Sequence, residues 1–257
     1  SFDDAPYYVA DDGSLVFKDG FYEIPYRKIK TSTIILLRID KERGHTSFTA
    51  FPTDAYVSVE DRYIQLGDLY ANYGLQFLID RIHALTGIRI DNHILTSYET
   101  FPALINSIMP GGVIYNVPSN LYLNDLHRDI LIDLPLGRRV LDGDKSLQLI
   151  TYDAYTDGAN SKMSTTLKFL RELYTQYTNI TNYSSASKTL PSIISKSDTD
   201  LTKEKLLDSI DMIFKYSLSQ MEINVPTTKK IVGNKAILVI DDDDAIRAFS
   251  NYRKIYN

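Results

Sequence analysis

A mixed α/β fold is what this sequence predicts, and three observations carry the expectation. Strand-length apolar segments recur along the chain, at residues 33–38, His45–Phe51, Val113–Val117 and Ile130–Leu134. Between them lie segments with apolar residues at helical spacing, such as Leu75, Leu78, Ile82 and Leu85. Turn residues separate the two kinds of segment, at Gly87, Gly111-Gly112, Asp142-Gly143 and Asp157-Gly158.

Bulk composition narrows the function classes. With 257 residues the chain can make one large domain or two small ones. Apolar residues make up 44% and charged residues 24%, the balance of a soluble globular protein. A formal charge of -5 disfavours a nucleic-acid partner, because phosphate binding wants a basic face. No apolar run approaches the ~18 residues of a membrane span, and no signal-peptide pattern opens at Ser1. The absence of cysteine excludes disulfides and thiolate metal sites and fits either redox compartment. The four histidines show no metal spacing, and no nucleotide loop or nucleophile motif is present.

Taken in order, residues 1–29 read as a meander of short strands (Tyr7-Tyr8-Val9, Leu15-Val16-Phe17, Phe21-Tyr22) between Asp-Gly turns. The continuous apolar run at 33–38 predicts a buried strand, and a turn at 40–44 leads back into a hairpin with 45–51. A helix is expected over 75–85, closed by Gly87. Thr96 and Glu99 have capping-box spacing for a second helix with Phe101, Leu104, Ile105 and Ile108 inward, and Pro102 fits its first turn. The stretch from Ile130 to Gly158 is the organising one. It carries a strand, three turns, and a short helical piece capped by Asp144 or Ser146. Residues 161–177 form a long helix with Met163, Leu167, Leu170 and Tyr174 inward. Residues 179–188 are a polar loop, and Thr199-Asp200-Leu201-Thr202 opens a helix with Leu206, Ile210, Ile213 and Leu218 inward. The tail resembles the opening of a response-regulator receiver (AILVIDDDDAIRAF), but too little chain follows to complete one. It reads instead as an edge strand leading into a helix with carboxylates at its N-terminus.

The phrase Ile132-x-Leu134-x-x-Gly137-x-x-x-Leu141-Asp142-Gly143-x-x-Ser146-Leu147 resembles the signature of LytR-CpsA-Psr (LCP) domains. So does the run Phe101-x-x-Leu104-Ile105-Asn106 followed by Gly111-Gly112-Val113 and Val117-Pro118. The resemblance covers about residues 30–220. Pro52, Asp54, Tyr56 and Val57 match the family's P-R-D-T-Y-V, with its arginine replaced by Thr53. Where the family carries R-S-D-T, this chain has Lys30-Thr31-Ser32-Thr33, so its metal-binding aspartate is Ser32. Before the short segment at Leu69-Tyr70-Ala71, the expected lysine and asparagine are Gln65 and Gly67. The R-Y-R triplet is Thr151-Tyr152-Asp153, and R-I-x-R-Q is Lys162-Met163-Ser164-Thr165-Thr166.

The resemblance implies an α/β (α+β) sandwich, with a central mixed sheet flanked by helices and a hydrophobic tunnel for a polyprenyl chain. It divides the chain into an N-terminal meander (1–29), an LCP-like domain (30–225) and a C-terminal strand-helix extension (226–257). Family members transfer a glycopolymer from a polyprenyl pyrophosphate onto the cell wall, and cleaving a pyrophosphate calls for arginines and a divalent cation to spread the growing charge. Here the arginine positions hold Thr53, Thr151, Asp153 and Thr165. Asp54 is the candidate catalytic residue that remains, and Lys30, Arg62 and Lys162 are the candidates for phosphate. No metal ligand is assigned, and Mg2+ is expected only if the reaction survives. The leading expectation is a divergent extracytoplasmic envelope protein that binds a polyprenyl phosphate or pyrophosphate lipid and its cell-wall glycopolymer. It would have lost or weakened the transfer, and would be held at the bacterial membrane by a segment outside this chain. Two alternatives are an active Mg-dependent phosphotransferase and an interaction module with a closed tunnel.

Overall fold

A computed structural model describes residues 7–9, 15–17, 30–60, 62–125, 130–156, 158–179, 191, 194, 197–219, 224–232 and 234–253. Phe21-Tyr22, most of the polar loop at 179–188 and Asp157 of the third turn lie outside the described residues.

Strands β1 (Tyr7–Val9) and β2 (Leu15–Phe17) pair antiparallel. Strands β3 (Ile34–Asp40) and β4 (His45–Phe51) lie side by side, joined at Gly44 in the left-handed region (φ 65). Contrary to the expectation of a buried strand, β3 is an edge strand and leaves Ile35 and Leu37 exposed. A continuous apolar run does not by itself say that both faces are covered. Strands β5 (Tyr56–Val59) and β6 (Arg62–Gln65) form a tight antiparallel hairpin. A 3-10 turn at Leu66–Asp68 then leads to α1 (Leu69–Tyr73) and α2 (Leu75–Thr86). The predicted stripe Leu78, Ile82 and Leu85 is buried, and Gly87 caps α2 at φ 65.

After the short β7 (Ile94–Leu95) comes α3 (Thr100–Ile108). Its capping box is one residue later than the sequence suggested. Ser97 N–H donates to Thr100 Oγ1 (2.8 Å) and Thr100 N–H to Ser97 Oγ (3.1 Å), so Thr96 and Glu99 are not the pair. Strands β8 (Val113–Val117), β9 (Leu121–Asp125), β10 (Ile130–Leu134) and β11 (Gly137–Leu141) follow. Helix α4 (Gly143–Thr151) is capped by Asp142, whose carboxylate accepts from Lys145 N–H at 2.9 Å, rather than by Asp144 or Ser146. Helix α5 (Ala159–Asn179) buries Met163, Leu167 and Tyr174, as expected. The remaining elements are β12 (Asp198–Thr199), α6 (Lys203–Lys215, capped by Thr202), β13 (Ser217–Leu218), β14 (Thr228–Val232), β15 (Lys235–Val239) and α7 (Asp242–Arg253). Leu218, expected on the inner face of α6, belongs to β13 instead.

The chain forms two compact units. The first comprises residues 1–34, 51–89 and 223–257. Its mixed sheet runs β14-β15-β5-β6, with β15 parallel to β5 and the outer pairs antiparallel. The tail strand β15 is therefore interior, not an edge. Val57, Ile64, Leu66, Leu69, Leu85, Val239 and Phe249 form the buried interior, with Phe249 stacked on Phe51 at 6.3 Å. Asp241 accepts from the N–H groups of Asp243 and Asp244 at the start of α7, and Arg81 of α2 makes a two-pronged pair with Asp242.

The second unit comprises residues 35–50 and 90–222. Its sheet β13-β4-β3 carries the parallel pair β13–β4. Strands β8–β11 make a two-stranded ribbon, β8 pairing β11 and β9 pairing β10. The register shifts by one residue between Val117↔Gly137 and Leu121↔Leu134, so the ribbon bends at a bulge, where Leu136 N–H donates to Asn120 Oδ1. Both halves bury their inner residues, Val113, Tyr115, Val117, Leu121, Ile132 and Leu134, in one core with Leu149 and Phe169. Two glutamines close strand edges. Gln176 bonds both backbone groups of Ile114, and Gln148 Oε1 accepts from Asp133 N–H.

Candidate functional site

Three segments singled out by the sequence meet in the first unit: 30–32, 53–54 and 65–68. Thr31 N–H donates to Gly67 O (2.9 Å) and Gly67 N–H donates to Thr53 O (2.8 Å). Gly67 is thus clamped between two backbones, and a Cβ there would lie 2.7 Å from Thr31 O and 2.9 Å from Thr53 O. That close approach explains a glycine at this position.

Side chains complete the cluster. Lys30 Nζ donates to Gln65 Oε1 at 2.7 Å, and Gln65 Nε2 donates to the Asp54 carbonyl at 3.2 Å. Gln65 therefore ties Lys30 to the turn that carries Asp54. The Asp54 side chain is exposed beside this turn, which is closed by Ala55 N–H on Pro52 O. Thr53 is only 4% exposed, and its hydroxyl donates to Ser32 O at 3.1 Å. The Thr53 hydroxyl is thus committed to the backbone of the segment it packs on.

Asp68 is the residue that sequence reasoning missed. Burial pushes its carboxyl above the usual aspartate range, and the nearby Lys30 ammonium opposes the shift. Its only signal in the sequence is an isolated acid inside Leu66-Gly67-Asp68-Leu69-Tyr70, which reads as readily as a solvated turn. Arg62 stands apart. It opens β6 while Gln65 closes it, three residues on, so alternation sends the two side chains to opposite faces. Arg62 is exposed near Tyr73, whose hydroxyl burial pushes up and the Arg62 charge pulls back.

The second unit holds the other positions. Thr151 ends α4, and its hydroxyl turns back onto Leu147 O at 2.7 Å. Tyr152 is buried against Tyr155, and Asp153 is exposed. Lys162 is half-buried in the first turn of α5, and its N–H reaches Gly158 O. Thr165 is buried, and its carbonyl accepts from the Tyr115 hydroxyl at 3.4 Å. That hydroxyl is pushed up to about 12, chiefly by burial and then by Tyr155 and Glu172.

The donor set does not fit a magnesium ion. Such an ion takes near-octahedral oxygen ligands, commonly including one or two carboxylates. Position 32 offers a hydroxyl and not a carboxylate, the Ser32 carbonyl already accepts from Thr53, and the Lys30 ammonium sits in the same cluster. Among the described residues no group of three or more acidic or histidine side chains is placed to hold a metal ion.

Comparison with known proteins adds the following. The family model described as "LytR_cpsA_psr family" matches residues 23–254. TagV of B. subtilis is similar in structure, with a TM-score of 0.68 and 15% identity, covering 88% of this chain and 89% of that one. A transcriptional regulator from Enterococcus faecalis gives a TM-score of 0.69 at 16% identity, covering 86% and 81%. TagT bound to LI-WTA gives 0.66 at 12% identity, covering 88% and 84%. At such identities these likenesses show a shared fold. No curated protein sequence matches the chain.

Proposed function

The chain belongs to the LytR-CpsA-Psr family, a family of cell-wall glycopolymer transferases, and from that premise we propose that it is a cell-envelope protein that binds a polyprenyl phosphate- or pyrophosphate-linked glycopolymer, with the family's transfer activity lost or much weakened. The binding half of the reading is supported by the fold it shares with TagT, a protein solved in complex with LI-WTA. Lys30, Arg62 and Lys162 are each proposed as a phosphate-binding residue, Arg62 on the face of β6 opposite Gln65. Asp54 is the candidate acid-base residue should any turnover remain. The lipid chain would occupy an apolar tunnel. The site of action is outside the cytoplasm, at the membrane, through a segment outside this chain. No helix among the described residues is long and apolar enough to cross a bilayer.

The observation that carries the loss of chemistry is Thr53. Its hydroxyl is buried on Ser32 O and offers no charge to a phosphate. Thr151 and Thr165 are likewise absorbed by backbone contacts or burial, and Asp153 brings a negative charge. Removing one preorganised donor costs ~100- to 1000-fold in rate, so several missing together leave little of the reaction.

Turnover of a polyprenyl pyrophosphate in the presence of magnesium tests the reading. The unmodified chain is expected to release no product above background. The Ser32→Asp/Thr151→Arg/Asp153→Arg variant, which supplies a carboxylate for the ion as well as two cations for phosphate, is expected to gain magnesium-dependent release. Ready turnover by the unmodified chain would overturn the loss of activity.

A further inference from the structure

We propose that the outer face of the β8–β11 ribbon is a self-complementary surface on which a second copy of this chain docks. The inner residues of both halves of the ribbon enter one core, so the alternate residues form a continuous outer face. Along β10 and β11 that face reads Leu131, Asp133, the bend at Leu136, Arg138 and Val140. Leu131 is 60% exposed, Leu136 54% and Val140 55%, and Tyr122 and Ile114 extend the apolar surface on the neighbouring strands. This is a large exposed apolar surface for strands whose edges are otherwise closed by Gln148 and Gln176.

The order of the residues names the occupant. Leu136 is near the midpoint, Asp133 and Arg138 flank it with opposite charges, and Leu131 and Val140 flank those. A two-fold axis through the bend, lying between two stacked ribbons, sets β10–β11 of one copy antiparallel over β10–β11 of the other. Leu131 then lies over Val140 of the second copy and Asp133 over Arg138, and with the axis between Pro135 and Leu136 each Leu136 lies over Pro135 of the other copy, next to its Leu136. Every contact is made twice, as an isologous interface requires. Asp133 and Arg138 are both exposed, and neither side chain is in an ion pair among the described residues, so both charges remain available. A bilayer would match the leucines but not the alternation of acid and base. The face is narrow, one ribbon wide, so the dimer is a weak one.

Sedimentation velocity from roughly 10 μM to roughly 1 mM covers the range in which small interfaces associate. The chain is expected to shift from monomer to dimer across it. Asp133→Arg alone, or Arg138→Asp alone, sets like charges opposite each other and is expected to weaken association at least ~10-fold. The double variant Asp133→Arg/Arg138→Asp restores the pairing with its sign reversed and is expected to recover the dimer. All positions are exposed, so circular dichroism should be unchanged, and Leu136→Ala gives a neutral variant that also weakens the dimer. A chain monomeric throughout, a dimer indifferent to the single charge changes, or single changes not rescued by the double would each overturn the proposal. Binding of the monomer through this face to phospholipid vesicles, without self-association, would assign the face to a membrane and overturn it equally.

Discussion

At the scale of single residues, the first unit's cluster turns on contacts that charge and spacing do not reveal. Gly67→Ala places a methyl group against two carbonyl oxygens and should cost about 1–3 kcal/mol, read as a lower urea midpoint. Asp68 gives a pH signature. Its folded carboxyl is held above the unfolded value by burial, so the folded state keeps the proton more readily. Its contribution to stability therefore falls as pH rises from the ordinary aspartate value of the unfolded chain through the raised folded value, and stays at that lower level above it. Asp68→Asn should stabilise the protein near neutral pH, with the gain vanishing below the unfolded value. Thermal unfolding of both proteins across that range checks it, and a gain independent of pH would contradict the assignment. Lys30 and Asp54 were legible because they stand inside recognisable phrases. Gln65, read only as a lost lysine, and Asp68 were not, because a polar residue's burial and partner are set by chain segments far away in sequence, such as Lys30, which lies 35 residues from Gln65.

At the scale of elements, periodic segments were readable and paired ones were not. Helix α2, the inner faces of α3 and α5, and strands β8 and β10 follow their apolar patterns, whereas β4, read as alternating, buries Thr46, Ser47 and Thr49 as well as apolar residues. Strands β11 (GRRVL) and β14 (TKKIV) carry adjacent charges and little alternation. They are strands because β8 and β15 pair with them, a tertiary effect that overrides local propensity. Caps were displaced by one or two residues, since several polar residues near a helix start compete for the same N–H groups and only the backbone entry angle decides. Asp142→Ala should cost about 1 kcal/mol through loss of the α4 cap. One residue on, Gly143 sits against α3, and a Cβ there would lie 2.1 Å from Pro102 O. Gly143→Ala should therefore be the more damaging change, at about 3 kcal/mol or more, because the opposing atoms are backbone and cannot rotate away. Denaturant unfolding of the pair ranks the two effects, and equal losses would contradict the close approach.

At the scale of the whole molecule, the chain builds its first unit from three separated stretches, 1–34, 51–89 and 223–257. Composition has no means of showing that the tail strand returns to pair with β5. The resemblance supplied the family and the mixed fold, and the family match reaches residue 254. Of the chemistry, only an expectation was legible: the resemblance calls for arginines where Thr53, Thr151, Asp153 and Thr165 stand. What those residues do instead became visible when Thr53, Thr151 and Thr165 were found serving the backbone or buried. The proposed function is retention of a lipid-linked ligand without its turnover. Lipid extraction and mass spectrometry on the protein purified from a bacterial host put it to the test. A co-purifying polyprenyl phosphate or pyrophosphate species is expected, still attached to its glycopolymer where one is present. Protein free of such lipid, which also fails to bind added polyprenyl phosphate, would contradict it.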